Sequence, residues 1–119
     1  LKLVKNKSNL PKLLNLFVHN DITHIVIEYF KFQPFIVTSG FSLAFFNVFT
    51  MDEVRYYLYE LLKGLKNLKD LGIYHRDIKP GNFLYNTQTR QGMIIDFGLA
   101  EIDLKYERDL SSRIEEMKK

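Results

Sequence analysis

Two short apolar runs, residues 83–85 (Phe-Leu-Tyr) and 93–95 (Met-Ile-Ile), flank a turn-prone stretch at residues 86–92. Asn82 stands just before the first run and Asp96 just after the second. Runs of this kind around a polar, glycine-containing stretch predict a small β-hairpin. Closing it brings Asn82 and Asp96 to neighbouring strand ends. No other feature constrains the chain as much, because the hairpin ties two separated motifs into one site: H-R-D-I-K-P-G-N at residues 75–82 and D-F-G-L-A at residues 96–100. Alone, Asp96-Phe97-Gly98 reads as an ordinary turn. Coupled to the upstream loop, it reads as half of a site.

In order and spacing, the two motifs resemble the catalytic loop and the metal motif of protein kinases. The resemblance implies phosphoryl transfer from ATP. Asp77 would take or orient the proton of the attacking hydroxyl, Lys79 would reach the transferred phosphate, and Asn82 and Asp96 would hold Mg²⁺. The residue types suit that chemistry, in which positioning and charge neutralisation lower most of the barrier. A carboxylate accepts the hydroxyl proton late in the reaction, and a hard cation takes oxygen ligands, here the Asn82 amide oxygen and the Asp96 carboxylate. Lys79 followed by Pro80 resembles serine/threonine kinases rather than tyrosine kinases. Arg76 leaves two readings open: it meets an anion on the activation segment, either a phosphoresidue or an acidic side chain, or it pairs with a local carboxylate. His75 and Phe97 read as structural, stacked in a hydrophobic column and not acting as acid, base or metal ligand.

Residues 50–71 predict the clearest helix, roughly 30 Å long. Thr50 and Glu53 form a capping box, and Gly72 supplies the left-handed stop. Val54, Leu58, Leu61, Leu65 and Leu68 fall on one face, with Lys63, Lys66, Asn67 and Asp70 opposite. Burying that face would anchor residues 72–75 and fix where Asp77 points. Residues 24–30 (H-I-V-I-E-Y-F) read as a strand, with residues 13–18 the strand before it. By resemblance this is the last strand of a kinase small lobe running into the hinge. Ile27 would then lie behind the adenine, with the carbonyl of Glu28 and the amide of Phe30 as its hydrogen-bond partners, and Leu84 among the ATP contacts. Residues 32–49, aromatic-rich and containing Pro34 and Gly40, are expected to be a short helix or irregular segment packed under the hinge rather than a partner-binding surface. His19 and His24 around Asp21 read as surface decoration rather than a metal pair. Residues 101–119 are charged, the start of an activation segment or a partly helical tail.

Composition adds mainly exclusions. With 46% hydrophobic and 26% charged residues, the 119-residue chain is ordinary for a globular domain. Its net charge of +3 is modest and its lysines are dispersed, which argues against direct nucleic-acid binding. It has no cysteine, hence no disulfide framework or thiolate zinc site, and no apolar run long enough for a membrane span. An intracellular protein is expected.

Within kinases, Y-Y-L-Y-E-L-L-K-G-L-K-N-L-K-D-L-G-I-Y-H-R-D-I-K-P, then N-F-L-Y-N, then G-M-I-I-D-F-G-L-A-E resemble the cell-division-cycle seven kinases. The resemblance covers roughly residues 22–106. It implies a nuclear cell-cycle enzyme that initiates DNA replication, acts on protein substrates and needs an activating regulatory subunit. Casein kinase one is the competitor, sharing N-F-L and I-I-D-F-G-L-A; Tyr85-Asn86, Gly92 and Glu101 favour the first family. The six glycines contain no G-x-G-x-x-G, and neither a V-A-I-K-type lysine nor an αC glutamate precedes His24. The expectation is therefore an α+β, partial protein kinase-like fold. Residues 1–30 would end the small lobe and form the hinge, residues 31–100 would start the large lobe with both motifs, and residues 101–119 would begin the activation segment or a tail. The parent is expected to be an active serine/threonine kinase and this piece alone inactive. A non-catalytic kinase-like scaffold is the alternative.

Overall fold

The computed structural model describes residues 7–32 and 50–118. Of the aromatic-rich segment expected to pack under the hinge, residues 33–49 lie outside the described residues. The α+β class expected from the sequence holds, with three two-stranded antiparallel sheets and two helices among the described residues.

Strands β1 (Leu13–His19) and β2 (Ile22–Ile27) form the first hairpin. Its turn, Asn20-Asp21, has φ of 50° and 60°, and two residues with positive φ are what a tight hairpin turn needs. β2 stops at Ile27, three residues short of the expected strand. The Glu28 N–H still reaches the Lys12 carbonyl at 3.0 Å, and the chain then leaves the ladder.

Helix α1 (Met51–Asp70) begins as expected, with Thr50 Oγ1 accepting from the Glu53 N–H at 3.3 Å. The reciprocal arm of the box is not made. Glu53 instead accepts from the Tyr85 hydroxyl at 3.0 Å and from Arg90 Nε at 3.1 Å, stapling α1 to the second hairpin. Gly72, at φ 69°, supplies the expected left-handed exit.

The buried face of α1 keeps Leu61, Leu65 and Leu68 of the expected one but is rotated away from Leu58. Glu60, Gly64 and Leu68 are buried, Tyr57, Leu61 and Leu65 pack beside them, and Leu58 is 48% exposed. Gly64 allows the approach: a Cβ there would lie 2.7 Å from Ile94 Cδ1. Glu60 tolerates burial because Lys63 Nζ is 2.6 Å away and its other oxygen takes the Gly92 N–H at 3.1 Å and the Asn9 amide. A buried carboxylate needs this kind of pairing.

Strands β4 (Phe83–Asn86) and β5 (Gln91–Ile94) form the hairpin expected from the sequence, in register Phe83↔Ile94 to Asn86↔Gln91. The core is Leu10, Leu68, Phe83, Tyr85 and Ile94. Tyr57 meets Phe83 and Tyr85 edge-on, at 5.0 and 5.3 Å between ring centres. Between α1 and β4, the two-residue β3 (Ile73–Tyr74) pairs with β6 (Glu101–Ile102), after which α2 (Leu104–Lys118) follows.

Candidate active site

The loop from His75 to Asn82 is held at both ends. Pairing of Tyr74 with Glu101 fixes its entry, and a 3₁₀ turn at Pro80–Asn82, closed by the Asn82 N–H on the Lys79 carbonyl at 2.9 Å, fixes its exit into β4. Within the loop three of the expected residues touch. Asn82 Nδ2 donates to the Asp77 carbonyl at 2.9 Å and to Asp77 Oδ2 at 3.0 Å, and Lys79 Nζ lies 3.4 Å from the same oxygen. Asn82 is buried, whereas Lys79 and part of Asp77 reach solvent. With the amide nitrogen committed to Asp77, the amide oxygen is the atom Asn82 has for a cation.

The hairpin brings the second motif to the first. The Ile95 N–H donates to the Asn82 carbonyl at 2.9 Å, which sets Asp96 one residue from Asn82 across the strand ends. Asp96 has φ 61° and its Oδ1 accepts from the Gly98 N–H at 3.2 Å. Arg76, at φ 67°, is left-handed as well. Each such residue stores about 1–3 kcal/mol of strain, a cost found where geometry has to be held.

His75 is structural. The Asp77 N–H donates to its Nδ1 at 3.2 Å, so Nε2 carries the hydrogen and donates to the Ile95 carbonyl at 2.9 Å. Its ring meets Phe97 edge-on at 5.1 Å. The imidazole thus bridges the two motifs with both nitrogens used. Arg76, for which several anions were left open, meets an acidic side chain just beyond the second motif in the structure. Arg76 Nη1 lies 2.7 Å from Glu101 Oε1, and Nε donates to the Leu99 carbonyl at 2.8 Å.

The residues expected at the adenine end lie on β2, just after it, and on β4. Ile27 ends β2 opposite Leu13, and the Glu28 carboxylate accepts from the Lys12 N–H at 3.3 Å. Leu84 lies in β4 opposite Met93. The segment that follows β2 is joined to β4 through Asn86, whose Nδ2 donates to the Lys31 carbonyl at 2.9 Å. The tie of Asn86 to Lys31, that of Glu101 to Arg76 and the Asn9–Glu60 pair were not foreseen. Asn86 carried a faint signal, a polar residue directly after the N-F-L-Y run; the buried partnership of Asn9 and Glu60 carried none. Burial, then the neighbouring Glu53 carboxylate, push the Tyr85 hydroxyl above the usual phenol range.

Residues 1–114 match the protein kinase domain family. The chain is similar to the probable cell division control protein 7 homolog 2 of Encephalitozoon cuniculi, 39% identical over 106 residues that make up 87% of this chain and 27% of that protein. It is 45% identical over 83 residues to the cell cycle protein kinase spo4 of Schizosaccharomyces pombe, covering 70% of this chain and 18% of that one. With the human cell division cycle 7-related protein kinase it shares 39% identity over 85 residues, 71% of this chain and 14% of the relative. The chain therefore spans about a quarter or less of the length of these relatives.

Proposed function

Because the chain belongs to the protein kinase domain family, we propose that the full-length protein transfers the γ-phosphate of ATP to serine and threonine hydroxyls of protein substrates. The contact of Asp77, Asn82 and Lys79 beside Asp96 carries this reading. The donors suit the cofactor: an amide oxygen and a carboxylate are hard ligands, and Mg²⁺ is commonly held by one or two protein groups with phosphates completing its shell. Asn82 and Asp96 would hold the ion, which supplies charge neutralisation on the phosphates when bound.

The chain's own residues then have separate tasks. Asp77, oriented by the Asn82 amide, receives the proton of the substrate hydroxyl. Lys79, exposed beside it, offsets the negative charge of the transferred group. Ile27, Glu28, Phe30 and Leu84 take the adenine end. Residues 1–30 serve as the end of the small lobe with the hinge, residues 31–100 as the start of the large lobe, and residues 101–119 as the beginning of the activation segment. Lys79-Pro80 favours serine and threonine over tyrosine. The names of the similar proteins support a cell-cycle role, and we extend it to nuclear action at the initiation of DNA replication with an activating regulatory subunit.

The test is transfer of labelled γ-phosphate to a protein acceptor by full-length protein. Asp77→Asn and Asp96→Ala should each lower kcat at least a hundredfold, the scale of a lost acid–base or charge-stabilising group. Unchanged turnover in either variant would refute the role assigned to that residue.

A further inference from the structure

Strand β4 carries more than the core. Its side chains alternate, so that Phe83 and Tyr85 enter the core while Leu84 and Asn86 take the other face. Asn82, bound to Asp77, stands at one end; Asn86 is at the other, about 13 Å away at the rise of a strand. Asn86 is only 5% exposed and uses both ends of its amide. Its Oδ1 accepts from the N–H groups of Gln88 and Thr89, at 2.9 and 3.2 Å, and so shapes the hairpin turn. Its Nδ2 donates to the Lys31 carbonyl at 2.9 Å, 55 residues away in sequence and one residue past Phe30.

We propose that Asn86 is a positioning residue for nucleotide affinity: its amide nitrogen holds the hinge at a fixed offset from the strand end that presents Asn82. This rests on the kinase reading above, which puts adenine at residues 27–30 and the phosphates near Asn82. The oxygen and the nitrogen of Asn86 do separable things. An aspartate shapes such a turn as well as an asparagine does, but it has no hydrogen to donate and would set a carboxylate oxygen against a carbonyl. β2 has already ended at Ile27, so the hinge needs a hold from outside its own sheet. The nitrogen supplies it.

The experiment uses full-length protein with Asn86→Asp, and with Asn86→Ser, whose short hydroxyl retains a turn acceptor but cannot span to Lys31. Losing one buried hydrogen bond should raise KM for ATP and the Kd for Mg-ATP about five- to tenfold, with kcat at saturating ATP within about twofold. The Kd for adenosine alone should rise in proportion. A merely structural role would instead lower kcat and the melting temperature together with Kd for adenosine unmoved, and that result overturns the proposal, as does unchanged ATP affinity in both variants. Should Asn86→Asp fail to fold, Asn86→Ser decides by the same readouts. Wild-type protein that binds Mg-ATP yet transfers no phosphate overturns the transferase reading and leaves the affinity comparison to judge the tether. Wild-type protein without nucleotide affinity overturns both.

Discussion

At Gly92 a side chain has nowhere to go. A Cβ built there would lie 2.2 Å from Phe83 Cζ and no more than 3.0 Å from both Cε atoms. Those atoms belong to a ring buried in the core against Tyr57, so they cannot swing aside without disturbing it. Gly92→Ala should therefore cost about 1–3 kcal/mol, the range for overpacking a core, read as a lower urea midpoint for full-length protein. Gly64→Ala is the milder contrast, because the nearest atom there is a terminal methyl, Ile94 Cδ1, at 2.7 Å and not a ring at 2.2 Å. A midpoint for Gly92→Ala equal to that of Gly64→Ala would show that the Phe83 ring relaxes freely. Read from sequence, Gly92 was visible only as the glycine that opens the second strand. Its reason, a ring lying across its Cα, depends on the register of β4 and β5. That Asp77, Asn82 and Asp96 come together was legible because loop and hairpin are local. Arg76 showed that it needs an anion but not which one, since Glu101 comes within reach only once β3 pairs with β6.

Elements repeat that division. Both ends of α1 were legible, because Thr50 and Gly72 act on backbone groups within one turn. Its buried face was legible in part, at Leu61, Leu65 and Leu68. A hydrophobic count favours Leu58, while the helix turns Glu60 and Gly64 inward, the carboxylate satisfied by its partners and no side chain at Gly64 to hold Ile94 away. The β3–β6 pair has its own test. Arg76 and Glu101 are both about half exposed, and such pairs contribute roughly 0–1 kcal/mol. Glu101→Gln should thus lower kcat by up to about fivefold, with the gap shrinking in 1 M salt as screening removes the wild-type advantage; a gap independent of salt would rule out the electrostatic account. One residue on, Asp103 joins this pair to α2. The Lys105 N–H first, then the Tyr74 hydroxyl, hold its carboxyl below the usual carboxylate value. The folded state therefore binds that proton less readily than the unfolded chain. The resulting stabilisation is complete above the unfolded pKa of about 3.9 and fades as pH falls through the folded value. Asp103→Ala should be less stable than wild type at pH 6, and the difference should narrow steadily below about pH 4. Urea unfolding at successive pH values measures it, and a difference that widens on acidification would contradict the sign.

Across the whole molecule, burial is uneven. The core lies between α1, the second hairpin and the segment around Leu10, while β1 and β2 leave Leu16, Val18, Ile22 and Ile25 exposed. The radius of gyration, 16.6 Å, exceeds the roughly 13–14 Å of a compact chain of this length. A two-stranded hairpin with open faces is marginal in water, so the two parts of this polypeptide should differ in stability. Amide exchange on the 119-residue chain should show protection concentrated in α1 and β4–β5, and near-random exchange in β1–β2. The catalytic consequence follows from the proposed role of the hinge. If β1–β2 frays, residues 28–31 lose the ladder that leads into them, and the Asn86 contact alone must hold the adenine end. The polypeptide also carries no G-x-G-x-x-G to close over phosphates. With Asn82 and Asp96 held together by the hairpin but the nucleotide poorly held, it should transfer phosphate at less than about a hundredth of the rate of full-length protein, the scale on which misplacing bound reactants costs turnover. Robust transfer by this polypeptide, abolished by Asp77→Asn, would show instead that α1 and the second hairpin suffice to position ATP.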